Sequence, residues 1–150
     1  MASRSLVLDA NILIRAVLGK NATGLLTTYS NAMSMTTPLY AYAEAERNLP
    51  SILARRGAET RDDVFSALDD LKSLVTPIDE SDYEPWRDEA LARINRCDPD
   101  DWPILAATLA IDCPIWTEDK DFFGTGVATW TTDRVELYFL NATLPAPVAE

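Results

Sequence analysis

Short apolar runs alternate along this chain with longer stretches whose apolar residues recur at helical spacing, and few folds accept that rhythm. Ser5 to Leu8 (SLVL) reads as a buried strand ending at Asp9, and Ala10 to Leu18 then reads as a helix closed by Gly19. A second helix is expected over about Thr23 to Ala32, followed by a short strand at Ser34 to Thr37. Thr37-Pro38 reads as an N-cap and first-turn pair for a helix carrying Tyr40, Glu44 and Arg47, which Pro50 should kink or break. Thr60, Asp62 and Asp63 cap the next helix. Val75 to Ile78 is the third strand, placed at an edge by Pro77. Ser81 and Glu84 form a capping box for a helix with Trp86, Ala90 and Ile94, and Asp100 or Asp101 caps another through ILAATLAI. PIWT (Pro114 to Thr117) and Val127 to Thr131 are the last strands, separated by an acidic loop, and Thr132 to Leu140 is a short helix. Strands alternating with helices imply an α/β domain with a parallel sheet covered on both faces, and sites in such sheets form beyond the strands' carboxyl ends where strand order reverses.

The 150 residues suit one domain, expected over 1–140, with 141–150 a loosely held tail containing Pro145 and Pro147. No apolar run is long enough to cross a bilayer, and the N-terminus lacks a basic-then-apolar leader, so a cytoplasmic, reducing setting and no membrane partner are expected. Two cysteines cannot form a disulfide framework. There is no histidine, which excludes Ser-His-Asp and Cys-His triads, HExxH zinc sites and any imidazole base. Chemistry in this chain falls to its carboxylates. The net charge of −11 argues against nucleic acid unless a divalent cation inverts the field over part of the surface.

Four segments place acids where a site could form. Asp9 ends a buried strand, with Asn11 two residues on; the plain alternative is that either caps the following helix. Glu44 shares a helix face with Tyr40 and Arg47, which would also suit an exposed Glu–Arg pair. Asp98, Asp100 and Asp101 crowd one helix start, more acids than capping requires. Glu118, Asp119 and Asp121 follow the PIWT strand, where a turn would explain some of them but their mutual repulsion asks for a cation. If the first and fourth strands are neighbours, Asp9 converges with Glu118 and Asp119.

VLDANILI, the glutamate of PLYAYAEAERNL, DDWPILAATLAI and PIWTEDKDFF resemble, in this order, the four acidic motifs of PIN-domain nucleases, over about Leu6 to Trp130. The resemblance implies a three-layer α/β/α fold with a five-stranded parallel sheet ordered 3-2-1-4-5. It also implies catalytic roles for Asp9, Glu44, Asp101 and Asp119, with Asn11 and Thr117 in support. Asp9, Asp101 and Asp119 would hold the metal, with Asp98 and Asp121 as further candidates; Trp102-Pro103 departs from the plainer third motif of toxin-type members, leaving Asp98, Asp100 and Asp101 as alternatives there. The ion expected of an oxygen-only donor set is Mg²⁺ or Mn²⁺. The implied activity is endonucleolytic hydrolysis of single-stranded RNA, by a VapC-like toxin or a less familiar subgroup, with a small antitoxin and a second copy of the chain as partners. Arg15, Arg47, Arg55, Arg56, Arg93, Arg96 and Lys120 are candidate phosphate contacts. The alternatives are a phosphatase or DNA nuclease using the same cluster, or a non-catalytic binding module on this fold.

Overall fold

The computed structural model describes residues 4–57, 62–94 and 98–143. Five strands, β1 (Arg4–Leu8), β2 (Met33–Pro38), β3 (Thr76–Ile78), β4 (Ile115–Trp116) and β5 (Thr129–Trp130), form an all-parallel sheet in the order β3-β2-β1-β4-β5. The expected order therefore stands, with Pro77 on an edge strand. Successive side chains of a strand point to opposite faces, and Leu6, Val7 and Leu8 are all fully buried. Helices accordingly cover both faces of the central strand. Each such aliphatic side chain contributes roughly 1.5–3 kcal/mol relative to an exposed one.

The helices are α1 (Ala10–Leu18), α2 (Asn21–Tyr29), α3 (Leu39–Arg55), α4 (Asp62–Asp70), α5 (Glu80–Tyr83), α6 (Arg87–Arg93), α7 (Trp102–Ile111) and α8 (Val135–Thr143). Helix α7 is buried continuously from Pro103 to Thr108 and packs on β1 and β2, which fixes the acids at its N-terminus against the sheet's carboxyl edge. Buried Ala41, Ala45, Leu49 and Leu53 orient α3, and the Tyr42 hydroxyl donates to the Val75 carbonyl at 2.6 Å. Helix α8 inserts Val135 and Phe139, the latter edge-on to Trp116 with ring centroids 5.8 Å apart.

Several local expectations give way to tertiary contacts. Thr37 does not cap α3: it lies in β2, and its buried hydroxyl donates to the Leu8 carbonyl at 2.7 Å, tying β2 to β1. Pro50 does not break α3, because it and Glu46, whose carbonyl loses a helical donor, lie on the exposed side where water satisfies the carbonyl. The Ser81 capping box is not formed. Asp79 is the N-cap, and Pro85, which lacks an N–H, divides the stretch into α5, a 3-10 turn over Glu84–Trp86, and α6. The cap expected at Thr60 and part of the tail, 144–150, lie outside the described residues, whereas α8 runs past the expected end at Leu140.

Candidate active site

Strands β1 and β4 are hydrogen-bonded neighbours, with Val7 opposite Ile115 and Leu8 opposite Trp116, so the residues that follow them, Asp9 and Thr117, emerge side by side. Asp9 is the N-cap of α1 and is 6% exposed. Its Oδ1 accepts the Ala10 N–H at 2.7 Å, and its Oδ2 accepts from the Thr117 hydroxyl at 2.7 Å and the Asn11 side-chain amide at 3.2 Å. Asn11 also donates to Thr117 Oγ1 and accepts the Glu118 N–H through Oδ1, each at 3.2 Å, while Thr117 Oγ1 accepts the Asp119 N–H at 2.9 Å. Asn11 and Thr117 thus stitch the two strand ends together, and the capping reading of Asp9 is true without being its whole role.

Glu44 reaches the cluster half-buried from α3. No ion pair to it is formed by the described residues, so the exposed Glu–Arg pairing is not what the fold builds. Its carboxyl is raised above the ordinary range first by burial and then by the charge of Asp9; Arg47 opposes this, and Asp98 and Asp100 add to it. Burial also raises Asp9, against the hydrogen bonds from Thr117 and Ala10, with the charge of Asp119 adding to the rise. Asp101 is pushed up to about 7, by burial and then by the charges of Asp9, Glu44, Asp98 and Asp119. The charges of Asp9, Glu44 and Asp119 thus all reach Asp101, though the four acids come from four separate segments of the chain.

The acids of the third segment separate by role. Asp98 is exposed and caps the 3-10 turn Pro99–Asp101 by accepting the Asp100 N–H at 3.0 Å; Asp100 is exposed, and Asp101 is turned inward. Asp101 holds the N-cap position of α7 without making a cap bond. An N-cap carboxylate ordinarily takes the N–H of the second or third helical residue, and the second residue here is Pro103, which has none.

In the fourth segment, Asp119 Oδ1 accepts the Asp121 N–H at 3.0 Å, and Asp121 itself is exposed. Glu118 turns away, accepting the Thr132 N–H at 2.7 Å, with Arg15 4.0 Å from its other oxygen. Spacing alone did not reveal Thr132 as the group that removes Glu118 from the cluster, because the pairing crosses the β4–β5 loop. Arg93 bonds the Thr125 carbonyl and Glu89, a structural use of that cation, and Arg96 lies outside the described residues.

Among the described residues no three acids are close enough to form a ready-made cage of direct ligands. Mg²⁺ and Mn²⁺ keep several waters and take one or two carboxylates directly, so they do not require such a cage. The crowded carboxyls of Asp9, Glu44 and Asp101 offer an oxygen-only donor set that fits a hard cation, and Arg47 offsets their charge only in part, at Glu44. No helix of the described residues is long and apolar enough to cross a membrane.

The family model of the PIN domain matches residues 7–140. A search of curated protein sequences finds no match. Among solved structures, the fold is similar to VapBC2 from Rickettsia felis, crystallised bound to a DNA fragment from its promoter. The TM-score is 0.61 at 16% identity, covering 85% of this chain and 98% of that one, a likeness that speaks for fold.

Proposed function

This chain belongs to the PIN-domain family, and on that footing we propose that it is a Mg²⁺- or Mn²⁺-dependent endoribonuclease acting on single-stranded RNA. One observation carries the reading: carboxylates from four segments face one another at the carboxyl edge where β1 meets β4, with Asp9 raised partly by Asp119, Glu44 partly by Asp9, and Asp101 partly by Asp9, Glu44 and Asp119. Asp9 and Asp119 would hold the ion, with Glu44 and Asp101 in supporting roles beside it and Asp98 and Asp121 as outer acids. When bound, the cation neutralises the scissile phosphate, lowers the pKa of the attacking water and stabilises the leaving oxygen. Asn11 and Thr117 keep the Asp9 carboxylate aimed by occupying its Oδ2 from two sides. The products are a 5′-phosphate and a 3′-hydroxyl.

The organisation of the similar VapBC2 complex supports a further part of the proposal, that this chain is a toxin held in check by a small antitoxin. A basic side chain from such a partner would enter the acidic pocket favourably. A homodimer is the proposed assembly and the cytoplasm the proposed setting.

Asp9→Asn keeps an oxygen for the Ala10 N–H and so keeps the helix cap, while removing the charge. The expected result is loss of metal-dependent RNA cleavage by roughly 10²-fold or more with an unchanged circular dichroism spectrum. Cleavage at the wild-type rate would remove Asp9 from the site. A parallel panel of single-stranded RNA, DNA and phosphate monoesters with each metal separates the ribonuclease from a DNA nuclease or phosphatase.

A further inference from the structure

We propose that the cleft beside the acid cluster is a nucleobase subsite, which takes one unpaired, amino-bearing base from the nucleotide next to the phosphate that is cut. This inference rests on the nuclease reading above. The cleft has a volume of about 600 Å³ and is walled by Tyr40, Tyr83 and Trp102; Arg47 is the one cation among its lining residues, and its acids include Asp79 and Asp100.

Continuity with the cluster is the first argument. Tyr40 and Arg47 lie four residues before and three after Glu44 on α3, on the same face of the helix, so one stripe carries Glu44 to the cluster and the other two to the cleft. Asp100 borders the cleft while the next residue, Asp101, faces the cluster. A strand with its scissile phosphate among the carboxylates therefore has its adjoining nucleotide at this opening.

The second argument is the nature of the walls. The Trp102 ring is held by Tyr83, with ring centroids 5.6 Å apart, and by the Arg87 guanidinium, 5.1 Å from its centroid. A wall braced on two sides loses little freedom when a base packs against it, and Tyr40, half-buried, offers a second ring.

Charge supplies the third. Ionised carboxylates only accept hydrogen bonds. On the rim they repel phosphate and receive the amino groups of adenine, cytosine or guanine, as acids do for the cytosine amino group elsewhere. Uracil would turn its carbonyl oxygens toward them. Arg47, which bonds the Tyr40 side chain, is the lining cation placed to meet the phosphate that links this nucleotide to the next. A base paired in a duplex is not free to enter.

The test uses the full chain carrying Asp119→Asn to suppress cleavage, with Mn²⁺, and short single-stranded RNAs containing 2-aminopurine at successive positions. Stacking quenches this amino-bearing fluorophore. The expected result is quenching at one position, next to the bond that the wild-type protein cuts. Tyr40→Leu on that background should weaken the quenched complex roughly tenfold, and Tyr40→Phe, which keeps the ring, should restore it. Uracil at that position should raise the wild-type KM with little change in kcat. Equal quenching at every position, quenching indifferent to Tyr40→Leu, or equal KM for all four bases would overturn the subsite. Wild-type cleavage of unlabelled RNA is read separately: no cleavage with either metal sinks the nuclease reading, whereas cleavage without position-specific quenching sinks the subsite alone.

Discussion

Asp9 and Asp101 stand at the N-caps of α1 and α7, and the two helix starts treat their carboxylates in opposite ways. Asp9 accepts from Ala10, Asn11 and Thr117 and is held tightly. Asp101 makes no cap bond, and burial together with four neighbouring acids pushes it up to about 7. The difference comes from what surrounds each cap. At α1 a free N–H and a partner strand supply donors; at α7 Pro103 withholds one, and the preceding turn is already capped by Asp98. An N-cap aspartate is thus a structural device where donors are plentiful and a reserved charge where they are not.

Exchanging the charges should break the comparison most visibly in activity. Asp101→Asn is expected to lower metal-dependent cleavage by roughly 10–100-fold, yet to raise the melting temperature of the cation-free protein, because it removes a charge that its neighbours oppose. Asp9→Asn should cost more activity and give a smaller gain, since the hydrogen bonds from Thr117 and Ala10 offset part of the burial that opposes its charge. Differential scanning fluorimetry in EDTA beside a cleavage assay reads both effects. Destabilisation by Asp101→Asn would show that the carboxylate is satisfied after all.

Removing the Thr117 hydroxyl tests the held side of the pair. Thr117→Val leaves Asp9 Oδ2 with Asn11 alone and should weaken activation by Mn²⁺ roughly tenfold in a metal titration of cleavage rate. An unchanged titration would mean that Asn11 suffices to aim Asp9.

Acidity tests the reserved side. Burial and neighbouring acids push Asp101 up to about 7, well above the ordinary aspartate range, and Asp9 and Glu44 are raised as well, so the folded protein binds more protons than the unfolded chain across that interval. Stability of the cation-free protein should therefore fall as pH rises from about 4 to 7. A change of about 1 kcal/mol corresponds to roughly 2–4 °C in Tm for a domain of this size. Millimolar Mg²⁺ or Mn²⁺ should flatten that slope by replacing the protons. Melting curves at several pH values, with and without metal, check it; a slope untouched by the cation would dissociate the cluster from metal binding.

The smallest expected effect would sharpen the contrast directly. Pro103→Ala restores an N–H at the second position of α7, within the capping pattern of Asp101. The Asp101 carboxyl should then titrate lower, visible by NMR of the side-chain carboxyl, with cleavage reduced a fewfold. An unmoved titration would assign the missing cap bond to something other than proline.

Much of this was legible in the chain because it is encoded locally. Apolar runs at Ser5–Leu8 and Pro114–Thr117 announce β1 and β4, although β4 itself is only Ile115–Trp116, and the order of the acidic segments carried the resemblance that the family match bears out. The failures were equally physical. Thr37-Pro38 has the local form of a helix cap, but a buried hydroxyl must find an acceptor, and the Leu8 carbonyl is the nearer one. Ser81 and Glu84 have the spacing of a capping box, but Pro85 interrupts the helix it would begin.

Sequence alone determined which elements exist and which residue types do the work, because periodicity, proline and the absence of histidine act within a few residues or by exclusion. Tertiary structure alone decided which acids share a site. Asp101 turns inward while Asp98 and Asp100 do not, and Glu118 leaves for Thr132 while Asp119 stays beside Thr117. A carboxylate's direction and charge state follow from donors and neighbouring acids brought near by the sheet order, and no spacing along the chain records those distances.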